Sequence, residues 1–197
     1  MEIFGNTEDG GYMLMHGAMN PYMVLHFHQW YRLLTSTFMH FGIEHLMNNM
    51  LLLFLLGQIF EEAVGTTRFF AIYLGSGIAG SFLSFLYQSL MGLNDIVAGA
   101  SGAIFGIVGG MIIVIIVNKG KYKGISSKRM FLMAILTLYF GFTTAGTDNV
   151  GHVGGIIAGI IFTFILYGIP TIIKNSHIDL NDENLYTIDN KQDKEGQ

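Results

Sequence analysis

The sequence contains no cysteine, only two prolines and few charged residues. Of its 197 residues, 12% are Asp, Glu, Lys or Arg, against roughly 25% in ordinary soluble domains. The absence of cysteine excludes disulfides, thiolate catalysis and cysteine-ligated metal sites. The shortage of charge, with a hydrophobic content of 51%, indicates a membrane protein. Residues 1–20 do not resemble a cleavable signal peptide, because they lack a basic start followed by an apolar core.

Five stretches of the chain are apolar and nearly uncharged, and we interpret each as a membrane span. Their approximate bounds are 43–64, 69–90, 101–117, 130–144 and 150–167. The fourth stretch is short, since a helix needs about 20 residues to cross a bilayer. The sequence therefore predicts an all-α, polytopic transmembrane bundle. It would comprise an outer connector at 1–42, a membrane core at 43–173 and a polar, disordered tail at 174–197.

The basic residues predict an orientation for this bundle. Of the 10 Lys and Arg residues in the chain, five lie between the third and fourth spans and three follow the last span. By the positive-inside rule, the C-terminus is then cytoplasmic and residues 1–42 are outside. The first, third and fifth spans all begin at the outer face in this arrangement. His45, Ser101 and His152 consequently lie at the same membrane level.

The third and fifth spans carry glycines at four-residue intervals, which line one face of a helix. They are Gly102, Gly106 and Gly110 in the third span, and Gly151, Gly155 and Gly159 in the fifth. Such stripes let two helices approach closely, although packing alone is a sufficient reason for them. Ser101 precedes one stripe and His152 lies within the other. Packing of the two stripes would bring the serine hydroxyl to the imidazole.

Ser101 and His152 are therefore candidates for a catalytic Ser–His dyad. A serine hydroxyl is a weak nucleophile that needs a neighbouring base, and histidine is the side chain that titrates near neutral pH. Asp148 lies in a loop where solvation is expected, so a dyad is favoured over a triad with a carboxylate. Phe105, one turn below Ser101, is in a position to stack on the imidazole. Packing or lipid contact is the commoner role of a phenylalanine in a membrane.

Acyl transfer also needs hydrogen-bond donors for the oxyanion. The N–H of Ser101 is available, because the first N–H groups of a helix have no intrahelical partner. His45 and Asn49 are four residues apart on the first span and share a face, so both are further candidates. The alternative role for an isolated asparagine in a membrane is an interhelical hydrogen bond.

Three histidines of the connector, His26, His28 and His40, raise the question of a metal site. His26 and His28 would share a face only on a strand, and no carboxylate lies close to them in the sequence. Hydrogen bonding within a loop is therefore favoured over metal binding. We expect no metal, no cofactor and no nucleic-acid partner.

Taken together, the motifs resemble those of rhomboid intramembrane serine proteases. The matching segments are Tyr31-Arg32-Leu33-Leu34-Thr35, His40 with His45-Leu46-Met47-Asn48-Asn49, Gly57-x3-Glu61-x3-Gly65, Gly99-Ala100-Ser101-Gly102 and Gly151-His152-Val153-Gly154-Gly155. The resemblance implies Ser101 as nucleophile and His152 as base. It implies an oxyanion site made by the Ser101 N–H, His45 and Asn49, with support from Gly99, Gly102 and Phe105. It also implies a membrane-spanning substrate that is cut near its outer end at a small residue.

The sequence departs from the rhomboid pattern at two points. The family's usual Trp-Arg pair is here Tyr31-Arg32. The family core has six helices, and the helix that precedes the outer connector is not among the five spans. It is expected either upstream of residue 1 or lost from a truncated product.

The resemblance implies an integral protein of a bacterial plasma membrane, with its active site toward the outer face. Its partners would be the lipid bilayer and transmembrane protein substrates, and the oligomeric state stays open. The main alternative is a non-catalytic rhomboid-like protein that binds transmembrane clients without cutting them. A small transporter is disfavoured, because the spans carry no charged or broken-helix site near mid-bilayer.

Overall fold

The computed structural model describes residues 5–119, 121–122, 125–126 and 147–176, with seven isolated residues between 127 and 146. Most of the predicted fourth span, 130–144, lies outside the described residues, and so does the predicted disordered tail from residue 177 onward. The described part consists of helices joined by turns and loops, together with one short antiparallel hairpin. In that hairpin, β1 (Lys121–Tyr122) pairs with β2 (Ile125–Ser126).

The connector folds into short helical segments instead of an extended loop. They are α1 (Gly10–His16), α2 (Pro21–Phe27), α3 (Arg32–Thr35) and a 3₁₀ turn (Ser36–Phe38). The side chains of Asp9 and Asn20 cap the first two helices by accepting backbone N–H groups of their first turns. This is the usual way in which short polar side chains start a helix.

Two sets of hydrogen bonds hold the connector in place. Arg32 is only 4% exposed, and its guanidinium donates to the carbonyls of Leu14 at 2.6 Å and Ala18 at 2.7 Å. Met19 and Val97 exchange two backbone hydrogen bonds of 2.9 and 2.8 Å. The charge-assisted bonds of Arg32 are strong and hold the connector together internally. The Met19–Val97 hydrogen bonds attach the connector to the loop before the third long helix.

Four long helices form the body of the protein. They are α4 (Gly42–Val64), α5 (Thr66–Met91), α6 (Ser101–Val117) and α7 (Asn149–Thr163), and the last continues through a π turn (Phe164–Gly168) as far as Ser176. Among the described residues, three of these helices are long and apolar enough to cross a membrane, and α6 is a shorter apolar helix. The starts of α4, α6 and α7 agree with the predicted spans, whereas α7 runs past the predicted end at 167.

The centre of the bundle is α6, which packs against α5 and α7 over most of its length. Its residues from 103 to 111 are all buried. Glycines of α7 allow this contact, because a side chain at Gly155 would overlap the carbonyl of Gly102, and one at Gly159 would overlap that of Gly106. The backbones of α6 and α7 therefore lie directly against each other.

The glycine stripe of α6 packs against α7 and also against two other helices. A side chain at Gly106 would overlap Ser76 of α5, and one at Gly110 would meet both Phe60 of α4 and Thr163 of α7. Gly109, which lies outside the stripe, also approaches the backbone of α7, where a side chain would overlap the carbonyl of Ile156. The reason is that α6 is surrounded by three helices, so its small residues serve three interfaces.

Candidate active site

Ser101 and His152 meet at one end of the α6–α7 interface. Ser101 is the first residue of α6, and His152 lies in the first turn of α7. The Nε2 atom of His152 is 2.9 Å from the Oγ atom of Ser101, a normal hydrogen-bond length. The imidazole is only 3% exposed, whereas the serine is partly exposed. Ser101 thus keeps part of its surface exposed, while the imidazole is held inside the bundle.

Two aromatic rings surround the His152 imidazole. The ring of Phe105 stacks on it with centroids 4.2 Å apart and planes inclined by 13°. Phe142 approaches edge-on, with centroids 5.9 Å apart and planes at 81°. The spacing of Phe105 from Ser101 indicated the first contact, but nothing in the sequence pattern singled out Phe142. Its position in an apolar span makes a phenylalanine there unremarkable without the three-dimensional contact.

Asp148 caps the helix that carries His152. Its carboxylate accepts the N–H of Gly151 at 3.0 Å and a hydrogen bond from the hydroxyl of Ser84 on α5. Burial raises the pKa of Asp148 above its usual value, although these hydrogen bonds partly oppose the shift. The expectation that Asp148 is solvated was therefore wrong. α5 lies beside the start of α7 and covers the carboxylate.

The raised pKa of Asp148 gives a prediction for two substitutions. A raised pKa means that folding disfavours the ionised form, so this carboxylate destabilises the fold as pH rises through its shifted pKa. Asp148→Asn keeps an acceptor for Gly151 without the charge, and should unfold at the parent temperature or higher at pH 7.5. Asp148→Ala removes the cap and should cost about 1 kcal/mol. Thermal unfolding in detergent checks this, and equal losses in both variants would contradict it.

Acidification supplies a second check of the same carboxylate. As the pH falls, Asp148 becomes protonated in the parent, and its charge no longer distinguishes it from asparagine. Any advantage of Asp148→Asn over the parent should therefore shrink toward acid pH. An advantage that grows on acidification would contradict the assigned sign.

His45 lies against the loop that leads to Ser101. An ideal Cβ built on Gly99 would be 2.9 Å from Cε1 and 3.0 Å from Nε2 of His45, and Gly99 has a φ of +138°. Both the contact and the backbone conformation require glycine at this position. The N–H of Phe41 donates to Nδ1 of His45 at 3.3 Å. The proton of the neutral imidazole is therefore on Nε2, the edge that faces Gly99.

Asn49 and Gly102 lie on the helices that were predicted for them. The contacts that each of them makes were not evident from the sequence. Asn49 is buried, and its amide donates to the carbonyl of His45 at 2.9 Å. Its partner is thus on its own helix and not on a neighbouring one. A side chain at Gly102 would meet no atom closer than 3.7 Å. Gly102 contributes to packing through its backbone carbonyl, which lies against Gly155.

The three connector histidines do not converge. His26 lies in the last turn of α2, and His28 follows as its C-cap. His40 lies in the loop before α4, where its Nε2 accepts the N–H of Ala100 at 3.2 Å. Within the described ranges, no group of three His, Asp or Glu side chains is close enough to hold a metal ion.

Comparison with known protein families identifies the class to which this fold and site belong. The model of the rhomboid domain matches residues 27–169, which include all four long helices and the Ser101–His152 pair. The chain belongs to the rhomboid family. With its long apolar helices, it is an integral membrane protein.

The relatives of the chain include bacterial and plant proteins. It is 35% identical over 170 residues to the Rhomboid protease GluP of Bacillus subtilis, covering 86% of this chain and 32% of GluP. It is 35% identical over 152 residues to RHOMBOID-like protein 4 of Arabidopsis thaliana, covering 76% of this chain and 37% of that protein. The Putative rhomboid protease YdcA of Bacillus subtilis is 28% identical over 137 residues, covering 70% of this chain and 67% of YdcA. The chain thus spans about a third of the length of the first two.

Proposed function

We propose that this protein is an intramembrane serine endopeptidase that hydrolyses transmembrane segments of other membrane proteins. The observation that carries the proposal is the 2.9 Å contact between Nε2 of His152 and Oγ of Ser101. Ser101 attacks the scissile carbonyl while His152 accepts its proton. His152 then protonates the leaving amine, and water hydrolyses the acyl-enzyme by the same steps in reverse order. Phe105 supports the dyad by fixing the plane of the imidazole.

The oxyanion of the tetrahedral intermediate would be stabilised by donors around Ser101. The Ser101 N–H is at a helix N-terminus, where the helix dipole favours negative charge. His45 carries its proton on Nε2, and this nitrogen lies beside Gly99, close to the serine. Asn49 shares a face of α4 with His45 and has a second amide hydrogen free of the bond to the His45 carbonyl. These three groups are the proposed oxyanion site.

The length of α6 supports a reaction site below the membrane surface. Its 17 residues correspond to ~25 Å, which is less than the ~30 Å hydrocarbon thickness of a bilayer. If the far end of α6 reaches one surface, Ser101 lies beneath the other. Water must enter this recess, since hydrolysis consumes it. The substrate must unwind locally, because a helical peptide bond is already hydrogen-bonded and covered. Small and helix-destabilising residues near the cut should therefore favour cleavage.

The distribution of basic residues supports an orientation for the enzyme. The excess of Lys and Arg follows the third and fifth spans, so we assign the C-terminus to the cytoplasm and the Ser101 end to the outer side. A bacterial plasma membrane is the proposed location. The substrates are membrane proteins whose transmembrane segments reach the Ser101 end from within the lipid.

Labelling with a fluorophosphonate tests the chemistry without knowledge of the substrate. The purified full chain, reconstituted in phosphatidylethanolamine–phosphatidylglycerol liposomes, is treated with the reagent and analysed by peptide mass spectrometry. We expect a phosphonate adduct on Ser101, because its Oγ lies 2.9 Å from Nε2 of His152, which can accept the hydroxyl proton. Unfolding the protein before treatment is the control and should abolish the adduct. Cleavage of a transmembrane peptide with small residues near its outer end then tests the substrate class.

The same experiment separates the proposal from a non-catalytic client-binding role. A client-binding protein has no need of an activated serine, so it would remain unlabelled or react at the same low rate after unfolding. Either result would reject the proposed protease. Adduct formation on a serine other than Ser101 would reject the assigned nucleophile.

A further inference from the structure

His40 is the one residue of the matched motifs that makes a hydrogen bond to the loop before Ser101 and has no role in the proposed chemistry. Its Nε2 accepts the N–H of Ala100 at 3.2 Å. One residue earlier, the N–H of Gly99 donates to the carbonyl of Ser36 at 2.9 Å. The connector segment 36–40 therefore binds two consecutive N–H groups immediately ahead of the serine.

The protonation of His40 is fixed by its surroundings. Because Nε2 accepts a hydrogen bond, the proton of the neutral ring is on Nδ1, and a backbone hydrogen bond with Phe38 satisfies it. The His45 ring packs edge-on against it, with centroids 5.2 Å apart. Burial and the neighbouring His45 lower the pKa of His40 to about 4. The imidazole is thus a neutral acceptor under ordinary conditions, and a protonated ring would have no lone pair for Ala100.

The peptide geometry explains why Ala100 matters. The carbonyl of Ala100 accepts the N–H of Ile104 at 3.0 Å, the first hydrogen bond of α6. The N–H of Ser101 belongs to the same peptide unit and points the opposite way, out of the helix end. With the N–H groups of Gly99 and Ala100 both bound, the N–H of Ser101 is the next one along the chain and the first that faces the reaction site.

We propose that His40 is a positioning residue, which accepts the Ala100 N–H and so orients the Ser101 peptide for nucleophilic attack and oxyanion binding. This inference rests on the proposed protease function. His40 does not touch the substrate in this role and acts only through the Ala100–Ser101 backbone. A misplacement of about 1 Å in such a group can cost on the order of 100-fold in rate.

A matched set of variants tests the acceptor at this position. His40→Leu removes the acceptor, whereas His40→Gln retains an oxygen near the position of Nε2. Thr35→Val is the control, because it removes another connector hydrogen bond, from Thr35 Oγ1 to the Gly17 carbonyl at 2.7 Å. Each protein is assayed in liposomes for the fluorophosphonate labelling rate, for kcat and KM on a transmembrane peptide, and for thermal unfolding.

We expect His40→Leu to lower the labelling rate and kcat by between about tenfold and 100-fold, with little change in KM. His40→Gln should recover most of the loss. Thr35→Val should lower the unfolding temperature without a comparable loss of kcat. The inference is overturned if His40→Leu labels at the parent rate, if His40→Gln is as slow as His40→Leu, or if Thr35→Val loses as much activity.

Backbone hydrogen exchange supplies a readout that does not depend on activity. In His40→Leu the Ala100 N–H loses its partner, so peptides covering residues 98–101 should exchange faster than in the parent and in His40→Gln. Unchanged exchange would reject the role of His40 even in an inactive protein. If residues 98–101 exchange faster in His40→Leu but Ser101 of the parent is not labelled, the protease function is rejected. The hydrogen bond from Ala100 to His40 is then still supported.

Discussion

Ser101→Ala should reduce cleavage of a transmembrane peptide below detection and abolish fluorophosphonate labelling. Loss of the nucleophile costs on the order of 10⁶-fold in kcat in a well-studied serine protease, and Ser101 carries the hydroxyl that lies 2.9 Å from the His152 imidazole. Removing one oxygen from a partly exposed side chain leaves the packing of α6 unchanged. The unfolding temperature should therefore stay at the parent value while kcat collapses.

A buried serine on another helix provides the control for this experiment. Ser76 on α5 is fully buried, and its hydroxyl has no hydrogen-bond partner among the described residues. Ser76→Ala should therefore retain both activity and stability, since an unsatisfied polar group is removed. Ser101→Ala that cuts as fast as the parent would end the assignment.

The coupling between the two residues of the dyad gives a sharper criterion. His152→Ala should be nearly as damaging as Ser101→Ala, because the serine hydroxyl is a weak nucleophile without its base. The double variant should be no worse than either single variant, as expected for residues that act as a unit. Additive losses would show that the two side chains work independently.

Gly159→Ala should destabilise the protein severely. A Cβ atom at this position would overlap the carbonyl of Gly106, which is backbone and cannot rotate away. α6 and α7 would have to separate along their most extensive contact. Overpacking typically costs roughly 1–3 kcal/mol, and we expect a loss at or above the upper end of that range. Because the same contact holds His152 beside Ser101, labelling should fall together with stability.

Gly102→Ala is the matched comparison for the stability effect. Both glycines belong to four-residue stripes of the same helix pair, yet a Cβ at Gly102 would meet its nearest atom at 3.7 Å. This is ordinary van der Waals contact, so Gly102→Ala should unfold near the parent temperature. Thermal unfolding in detergent compares the two, and equal shifts would show that the close approach at Gly159 is not what stabilises the bundle.

Much of this arrangement could be predicted from periodicity and spacing. The first residues of α4, α6 and α7 lie within one residue of the bounds of the apolar stretches in the sequence. The stripes of glycine then imply that α6 and α7 are close. They do not reveal that Gly106 also faces Ser76 of α5, since spacing fixes a helix face but not every neighbour that covers it.

Contacts between distant segments explain the remaining differences. His40 and Ala100 are sixty residues apart in the chain, and no local pattern pairs an imidazole with a backbone N–H at that distance. Asp148 was expected in solvent because it lies in a loop, but Ser84 of α5, far away in the sequence, donates a hydrogen bond to its carboxylate. Phe142 reached the imidazole from a span that looked entirely apolar.

The π turn of α7 determines which face carries the small residues before and after it. Thr163 continues the four-residue rhythm of Gly151, Gly155 and Gly159, whereas the next small residue, Gly168, comes five positions later. A wider turn absorbs this extra residue, so that Gly168 still lies near α6, with an ideal Cβ 3.5 Å from Ile113. The extra residue of the π turn thus keeps the small residues before and after it on the same face of α7, the face that contacts α6.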